Sequence, residues 1–143
     1  MRLWTRIAFV LLFVPLLASA QYRDLDGALG NLQKGFSSGD TQAILVGIAD
    51  GDQVMLNFPG LTDKSGFFGR DQAAYLLDGL FSKVKPSDYT QVSVRKVSAE
   101  NQYHIEASWT IQNAGKPEVR QLYIALRFKN DHWWLVSVRS AGK

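Results

Sequence analysis

The chain has 143 residues, of which 46% are hydrophobic and 20% are charged, a composition that is ordinary for a globular protein. Its formal net charge is +3, but its basic residues are scattered, whereas a nucleic-acid-binding protein gathers them on one face. The absence of cysteine excludes disulfides, thiol chemistry and the attachment of a lipid to a cysteine.

The first twenty residues have the order of a secretory signal peptide. Arg2 and Arg6 precede an apolar run at residues 7–18, and Ala18 and Ala20 supply the small side chains that a signal peptidase reads. The run is shorter than the roughly 20 apolar residues that a membrane span requires. We therefore expect cleavage after Ala20 and a periplasmic or secreted protein that makes no membrane contact afterwards. The alternative is an uncleaved anchor.

Cleavage would leave residues 21–143, a length that suits one domain with a substantial core. It would also remove two arginines and no acid, so the net charge would fall from +3 to +1. This near-neutral balance predicts no nucleic-acid partner. The sequence predicts a signal peptide at residues 1–20 and a single domain at residues 21–143.

Three helices are predicted before the last strands. An apolar stripe with helical spacing follows Asp24 and is closed by Gly39, and Asp40 can cap a short second helix. A strand at residues 54–58 ends at a Pro-Gly turn, and residues 61–69 are predicted to form a loop. A third helix begins near Arg70 and cannot continue past Lys85, because Pro86 follows.

Four strands complete the chain, at residues 89–98, 102–112, 118–129 and 132–139, with turn signals between them. The element order α-α-β-α-β-β-β-β does not alternate helices with strands as crossovers. It predicts the α+β class, a curved antiparallel sheet with three helices packed on its concave face in a cone-shaped domain.

Alternation with period two sorts the strand residues into two faces. The face predicted to contact the helices carries these residues of the last three strands: Tyr103, Ile105, Ala107, Trp109, Ile111, Leu122, Ile124, Leu126, Phe128, Trp134, Val136 and Val138. The outer face would then expose Tyr123, Trp133 and Leu135, which we take as candidates for a homodimer interface. The alternative is that these three are ordinary surface residues covered by Arg and Lys side chains.

The element order, with Ser-Gly-Asp-Thr-Gln-Ala-Ile at residues 38–44, resembles the nuclear-transport-factor-two-like superfamily of cone-shaped domains. Its nearest resemblance is to a family of short exported bacterial proteins of unknown function. Three stretches carry it: Val-Met-Leu-Asn-Phe-Pro-Gly at 54–60, Gly-Arg-Asp-Gln-Ala at 69–73 and Trp-Trp-Leu-Val-Ser-Val-Arg at 133–139. The resemblance implies the cone fold over residues 21–143. It brings no catalytic motif.

The superfamily also contains ketosteroid isomerases, and the resemblance lets their catalytic positions be compared with this chain. Leu56 and Asn57 stand where the isomerases place a carboxylate base, and Leu32 stands where they place a tyrosine. Their buried acid would fall near Tyr123 or Ala125. None of these side chains can perform the corresponding role, so isomerase chemistry is not expected and no catalytic residue is predicted.

The sequence gives little support for a metal site, a cofactor or another catalytic site. The two histidines, His104 and His132, are not grouped with acids at a ligand spacing, so neither a metal site nor a cofactor is predicted. Asp50, Asp52 and Asp63 are taken as turn-forming or solvating residues, although an enzyme of the lyase or isomerase type would become a third hypothesis if one of them pointed inward.

A ligand pocket is the leading functional hypothesis. An aromatic, mostly apolar cavity inside the cone could be lined by Phe58, Tyr75, Tyr103, Trp109 and Trp134. We therefore expect a non-catalytic exported domain that binds a small apolar or amphipathic ligand, or nothing. The first alternative is a dimerisation or protein-interaction module that uses the outer sheet face. A further possibility is that the five rings simply fill the core.

Overall fold

The computed structural model describes residues 24–97, 99 and 101–141. The predicted signal peptide lies outside these residues. The elements in chain order are α1 (Leu25–Ser38), α2 (Thr41–Leu45), β1 (Gln53–Asn57), β2 (Gly66–Gly69), α3 (Arg70–Lys83), β3 (Val84–Val97), β4 (Gln102–Asn113), β5 (Lys116–Lys129) and β6 (His132–Ser140).

The first helix begins and ends where the sequence predicts, and the second begins at the predicted cap but already ends at Leu45. The Asp24 carboxylate accepts a hydrogen bond from the backbone N–H of Gly27 at 2.6 Å and caps α1, and Gly39 ends that helix at a φ of 73°. The Asp40 carboxylate caps α2 by accepting the N–H of Ala43 at 3.3 Å. These signals are local, so they are readable from sequence alone.

The six strands form one sheet in the order β2-β1-β6-β5-β4-β3. Every neighbouring pair is antiparallel except β1 and β6, which are parallel, so the sheet predicted as antiparallel is a mixed sheet with one parallel pair. The strand β2 is also an addition to the prediction, since Gly66–Gly69 was expected to be loop. It pairs with β1 across the turn at Pro59 and Gly60. The α+β class and the curved sheet with three helices are confirmed.

The strand β3 begins directly after α3 and includes Pro86, which the prediction placed before the strand. Proline lacks a backbone N–H and is therefore tolerated in a sheet where that N–H would face outward. The strand lies at one edge of the sheet, which fits this requirement.

The core lies between the helices and one face of the sheet. On that face the buried residues of β4 and β5 keep the predicted alternation: Ile105, Ala107, Trp109, Ile111, Leu122, Ile124 and Leu126. The helices contribute Leu32, Phe36, Ile44, Leu77 and Leu80, and β1 contributes Val54 and Leu56.

A β-bulge in β6 overturns the predicted faces of its first half. Leu126 pairs with Leu135, but the preceding Ala125 pairs with Ser137, so Val136 is an extra residue. An extra residue reverses the alternation of side chains on one side of it. Leu135 therefore shares the inner face with Val138 and is 4% exposed, while Trp134 lies on the outer face.

Candidate ligand-binding groove

An open groove of about 740 Å³ runs along α3 in the described part of the structure. One wall is the helix face that carries Asp71, Gln72, Tyr75, Leu76, Gly79, Leu80 and Lys83. The other wall is formed by residues of the 61–68 segment: Leu61, Thr62, Asp63, Lys64, Phe67 and Phe68. The helical spacing of the first set places it along one side of α3 from its first turn to its last.

The 61–68 segment is held in place by backbone hydrogen bonds at its start. The N–H groups of Leu61 and Thr62 both donate to the carbonyl of Phe58, at 3.0 and 3.1 Å. The Thr62 hydroxyl donates to the carbonyl of Lys64 at 3.0 Å. At the last residue of α3, the Lys83 ammonium group donates to the carbonyl of Leu61 at 3.4 Å and links the two walls. The groove therefore has fixed walls at this end.

The floor of the groove is apolar and its rim carries exposed aromatic rings. Leu61 and Leu80 are each 2% exposed, and Leu76 and Phe68 pack against the same core. Phe67 is 69% exposed and Tyr75 is 85% exposed. Rings of this size are usually buried because leaving them in water forfeits a favourable burial free energy. Phe67 and Tyr75 are therefore exceptions, since they lie exposed beside an apolar floor.

A second and smaller pocket adjoins the first turn of α3 and shares Asp71 and Gln72 with the groove. Its side is built by Arg70, whose guanidinium donates to the carbonyl of Ile48 and to the Asp50 carboxylate at 2.8 Å. These bonds occupy the guanidinium group, and Asp50 is exposed. The Arg70 bonds hold the start of α3 against residues 48–50, and we assign this small polar pocket a structural role.

The five predicted pocket residues do not come together in one cavity. Phe58 and Trp109 lie in the packed core, 1% and 0% exposed, with their ring centroids 6.2 Å apart. Tyr103 packs on Trp133 at 5.1 Å, and Trp134 lies on the other face of the sheet against His132 at 3.9 Å. The fifth, Tyr75, lines the groove on α3, on the outside of the core.

Two of the three predicted interface residues lie on the inner face. Leu135 is a core residue and Trp133 packs against the core beside Phe128, with ring centroids 5.0 Å apart. The bulge at Val136 is the reason, since it reverses the alternation from which both were placed outside. Tyr123 does lie on the outer face and is 39% exposed.

The inner face holds a charged pair that the sequence analysis missed. Arg120 is 7% exposed, and its Nε and Nη2 donate to one carboxylate oxygen of Glu118 at 3.3 and 3.1 Å. The other carboxylate oxygen accepts from the Asn113 amide at 3.1 Å, and the Arg120 Nη1 donates to the carbonyl of Pro59. Extending the alternation of Leu122 and Ile124 two steps towards the start of β5 would have placed both charges inward.

These charges are fully engaged with one another and with the backbone. Arg120 Nη1 also lies 3.5 Å from the carbonyl of Ala141, so Arg120 connects β5 both to the turn after β1 and to the residue that follows β6. A buried ion pair whose hydrogen bonds are satisfied is a structural element. We assign it no part in ligand binding.

None of the isomerase positions carries a carboxylic acid. Leu32 and Leu56 are fully buried, Asn57 is half-buried, and Tyr123 lies on the outer face. Asp50, Asp52 and Asp63 are all exposed. Within the described residues, no group of three or more His, Cys, Asp or Glu side chains could hold a metal ion. In the same part of the chain, no helix is both long and apolar enough to span a bilayer.

The element order, the curved sheet and the helices on one face together define the cone fold of the nuclear-transport-factor-two-like superfamily. The solved structures that this chain resembles include DUF4783 family proteins, as the sequence resemblance to a family of unknown function implied. No protein-family model and no curated protein matches the sequence.

Three of these structures illustrate the likeness. The DUF4783 family protein of Bacteroides ovatus has a TM-score of 0.63 and 16% identity, over 79% of this chain and 94% of that one. The one from Bacteroides uniformis has a TM-score of 0.65 and 15% identity, over 80% and 95%. A hypothetical protein of Catenulispora acidiphila with a ketosteroid isomerase-like fold, solved with trimethylamine, has a TM-score of 0.61 and 12% identity, over 81% and 85%. At these identities the likeness concerns the fold.

Proposed function

We propose that this protein is an exported, non-catalytic domain that binds a small apolar or amphipathic ligand in the groove along α3. The observation that carries the proposal is the combination of a buried leucine floor, Leu61 and Leu80, with the two exposed rings of Phe67 and Tyr75 above it. The groove's volume of about 740 Å³ falls within the range of small-molecule sites, roughly 300–1,000 Å³.

The chemistry of the groove supports binding without reaction. Its polar side chains are Thr62, Asp63, Lys64, Asp71, Gln72 and Lys83. Its two carboxylates, Asp63 and Asp71, are both exposed to solvent, whereas catalytic acids and bases are typically enclosed in their sites. The groove therefore suits recognition of a ligand by shape and polarity.

Export rests on the order of charged, apolar and small residues in the first twenty positions. The full chain expressed in a Gram-negative bacterium should appear in the periplasmic fraction, with an intact mass that corresponds to residues 21–143. A protein of full mass in the membrane fraction would instead support an uncleaved anchor.

Ligand binding can be tested with the neutral fluorescent dye N-phenyl-1-naphthylamine. The wild-type protein should enhance its fluorescence, and Gly79→Leu, which projects a side chain into the groove, should abolish the enhancement. Gly30→Leu is the matched control, because Gly30 also lies within a helix and a Cβ there would meet nothing within 4 Å. Equal fluorescence in both variants would exclude the groove as the dye's site.

A second candidate function is self-association through the outer face of the sheet. Tyr123 on β5 is flanked in register by Glu106 on β4 and Arg139 on β6. A two-fold axis through Tyr123 and parallel to the strands would place the carboxylate of each copy over the guanidinium of the other, which is the self-complementarity that a symmetric dimer requires. Trp134 replaces Trp133 in this surface.

The assembly state tests this candidate directly. Light scattering at micromolar protein concentration should show a dimer, and Arg139→Glu should convert it to a monomer by placing like charges opposite each other. The charge-swapped double variant Glu106→Arg with Arg139→Glu should restore the dimer. A wild-type protein that stays monomeric at these concentrations would rule the candidate out.

A further inference from the structure

The groove along α3 is chemically different at its two ends. Asp71 and Tyr75 are one helical turn apart, so their side chains are neighbours on the helix surface. Phe67, three residues before the start of α3, lines the groove as well. This end therefore combines one carboxylate with two exposed aromatic rings. The other end carries Gly79, Leu80, Leu61 and, beyond them, Lys83.

We propose that the groove binds an amphiphile with an alkylammonium head, seated by Asp71, Tyr75 and Phe67, and an apolar tail that lies over Gly79 towards Leu61 and Leu80. This inference rests on the proposed function and specifies its ligand class. A carboxylate attracts the ammonium charge, and the faces of aromatic rings attract it through their quadrupole. The leucine floor then accommodates the tail.

Asp71 is available for such a head. The neighbouring Arg70 is bonded to Ile48 and Asp50, and among the described residues no ion pair involves Asp71. The other carboxylate of the groove, Asp63, is followed in the chain by Lys64, which also lines the groove. Lys83 lies twelve residues along the helix from Asp71, or about 18 Å at 1.5 Å per residue. It is therefore remote from the proposed head site.

Gly79 leaves the middle of the groove without a side chain. A Cβ at Gly79 would meet nothing within 4 Å, so a larger side chain there would enter the groove between Tyr75 and Lys83. An apolar tail therefore has room to lie over this position.

The test compares three probes with the same eight-carbon tail and different heads: octyltrimethylammonium, octyl glucoside and octyl sulfate, each below its critical micelle concentration. Isothermal titration calorimetry should give the tightest binding for the ammonium probe. Amide chemical shifts should change around Asp71, Tyr75 and Gly79 in the same titration. Asp71→Asn should weaken the ammonium probe about two- to fivefold, the range that exposed ion pairs give, and leave the glucoside unchanged.

Asp78→Asn is the matched control, because Asp78 is exposed on the same helix and does not line the groove. Equal affinity for the ammonium and glucoside probes, or a preference for the sulfate, would overturn the proposed head while leaving a ligand-binding groove in place. Failure of all three probes to bind, or shifts located elsewhere, would overturn the groove as a ligand site together with this inference.

Discussion

The indole nitrogen of Trp109 donates a hydrogen bond of 2.8 Å to the backbone carbonyl of Phe36. Phe36 lies in the last turn of α1, where helix carbonyls have no partner within the helix. Trp109 lies in the middle of β4 and is fully buried, and its ring also contacts that of Phe36 edge-on at 5.7 Å. One side chain thus satisfies the helix end and anchors it to the centre of the sheet.

Replacing this ring tests the anchor. Trp109→Phe should lower the free energy of unfolding by about 2–3 kcal/mol, because it leaves the Phe36 carbonyl without its donor and opens a cavity. Urea denaturation followed by circular dichroism measures this. Trp134→Phe is the control, since its indole N–H donates to the Lys129 carbonyl at an exposed site, and it should cost less than about 1 kcal/mol. Equal losses in the two variants would refute the assignment of the anchor to Trp109.

The bulge in β6 gives a second prediction, on Leu135. Leu135→Ala should cost about 2–4 kcal/mol of unfolding free energy, as for other buried leucines, because the side chain lies in the core opposite Leu126. Tyr123→Ala on the outer face should change stability by less than about 1 kcal/mol when measured on the monomer. The reverse order would mean that the original alternation, without a bulge, describes β6.

The side-chain faces of β4 and β5 could be predicted from the sequence, but those of the first half of β6 could not. Alternation predicted the faces of β4 and β5 because each runs without interruption through the core. In β6 the same alternation gave the wrong faces, because the sequence Trp-Leu-Val-Ser at residues 134–137 does not show which residue is the extra one of the bulge. The caps of α1 and α2 were predicted because Asp24, Gly39 and Asp40 act on groups within a few residues. The bulge is instead decided by pairing with distant Ala125 and Leu126.

The groove could not be predicted for a related reason. The sequence predicts Tyr75 as a lining residue of a cavity inside the cone, whereas Tyr75 lines an open groove on the outer side of α3. That side becomes a wall only because the 61–68 segment folds back along the helix. The four-residue strand β2, half of it glycine, carried too weak a strand signal to reveal this return.

A third prediction concerns the buried pair of Arg120 and Glu118. Arg120→Met should destabilise the protein by about 3–5 kcal/mol, because it leaves the Glu118 carboxylate with one partner fewer in an enclosed site. The double variant Arg120→Met with Glu118→Leu should regain most of that loss, since it removes both charges together. A double-mutant cycle on chemical denaturation gives the coupling free energy. Additive effects would show that the two side chains act independently.

A fourth prediction concerns the hydroxyl of Tyr89, which is buried and has no hydrogen-bond partner within the described residues. The ring stacks on Phe36 with centroids 6.2 Å apart, so the packing depends on the ring and gains nothing from the hydroxyl. Tyr89→Phe keeps the ring and removes the polar group. At pH 7 it should leave stability unchanged or raise it by up to about 1 kcal/mol, as measured by urea denaturation. A loss of more than about 1 kcal/mol would indicate that the hydroxyl has a partner.

The same variant has a distinct pH profile. Burial disfavours the phenolate and raises the pKa of Tyr89 above its ordinary value of 10.0. Above pH 10 the unfolded chain therefore releases a proton that the folded protein retains, and the free energy of unfolding falls as pH rises. The contribution of Tyr89 is fully present below pH 10, and about 1.4 kcal/mol of it should be lost by pH 11. Tyr89→Phe should lack this loss, whereas Tyr75→Phe, at an exposed site, should retain it. Parallel pH profiles for the wild type and Tyr89→Phe would show that the hydroxyl ionises as freely in the folded protein as in water.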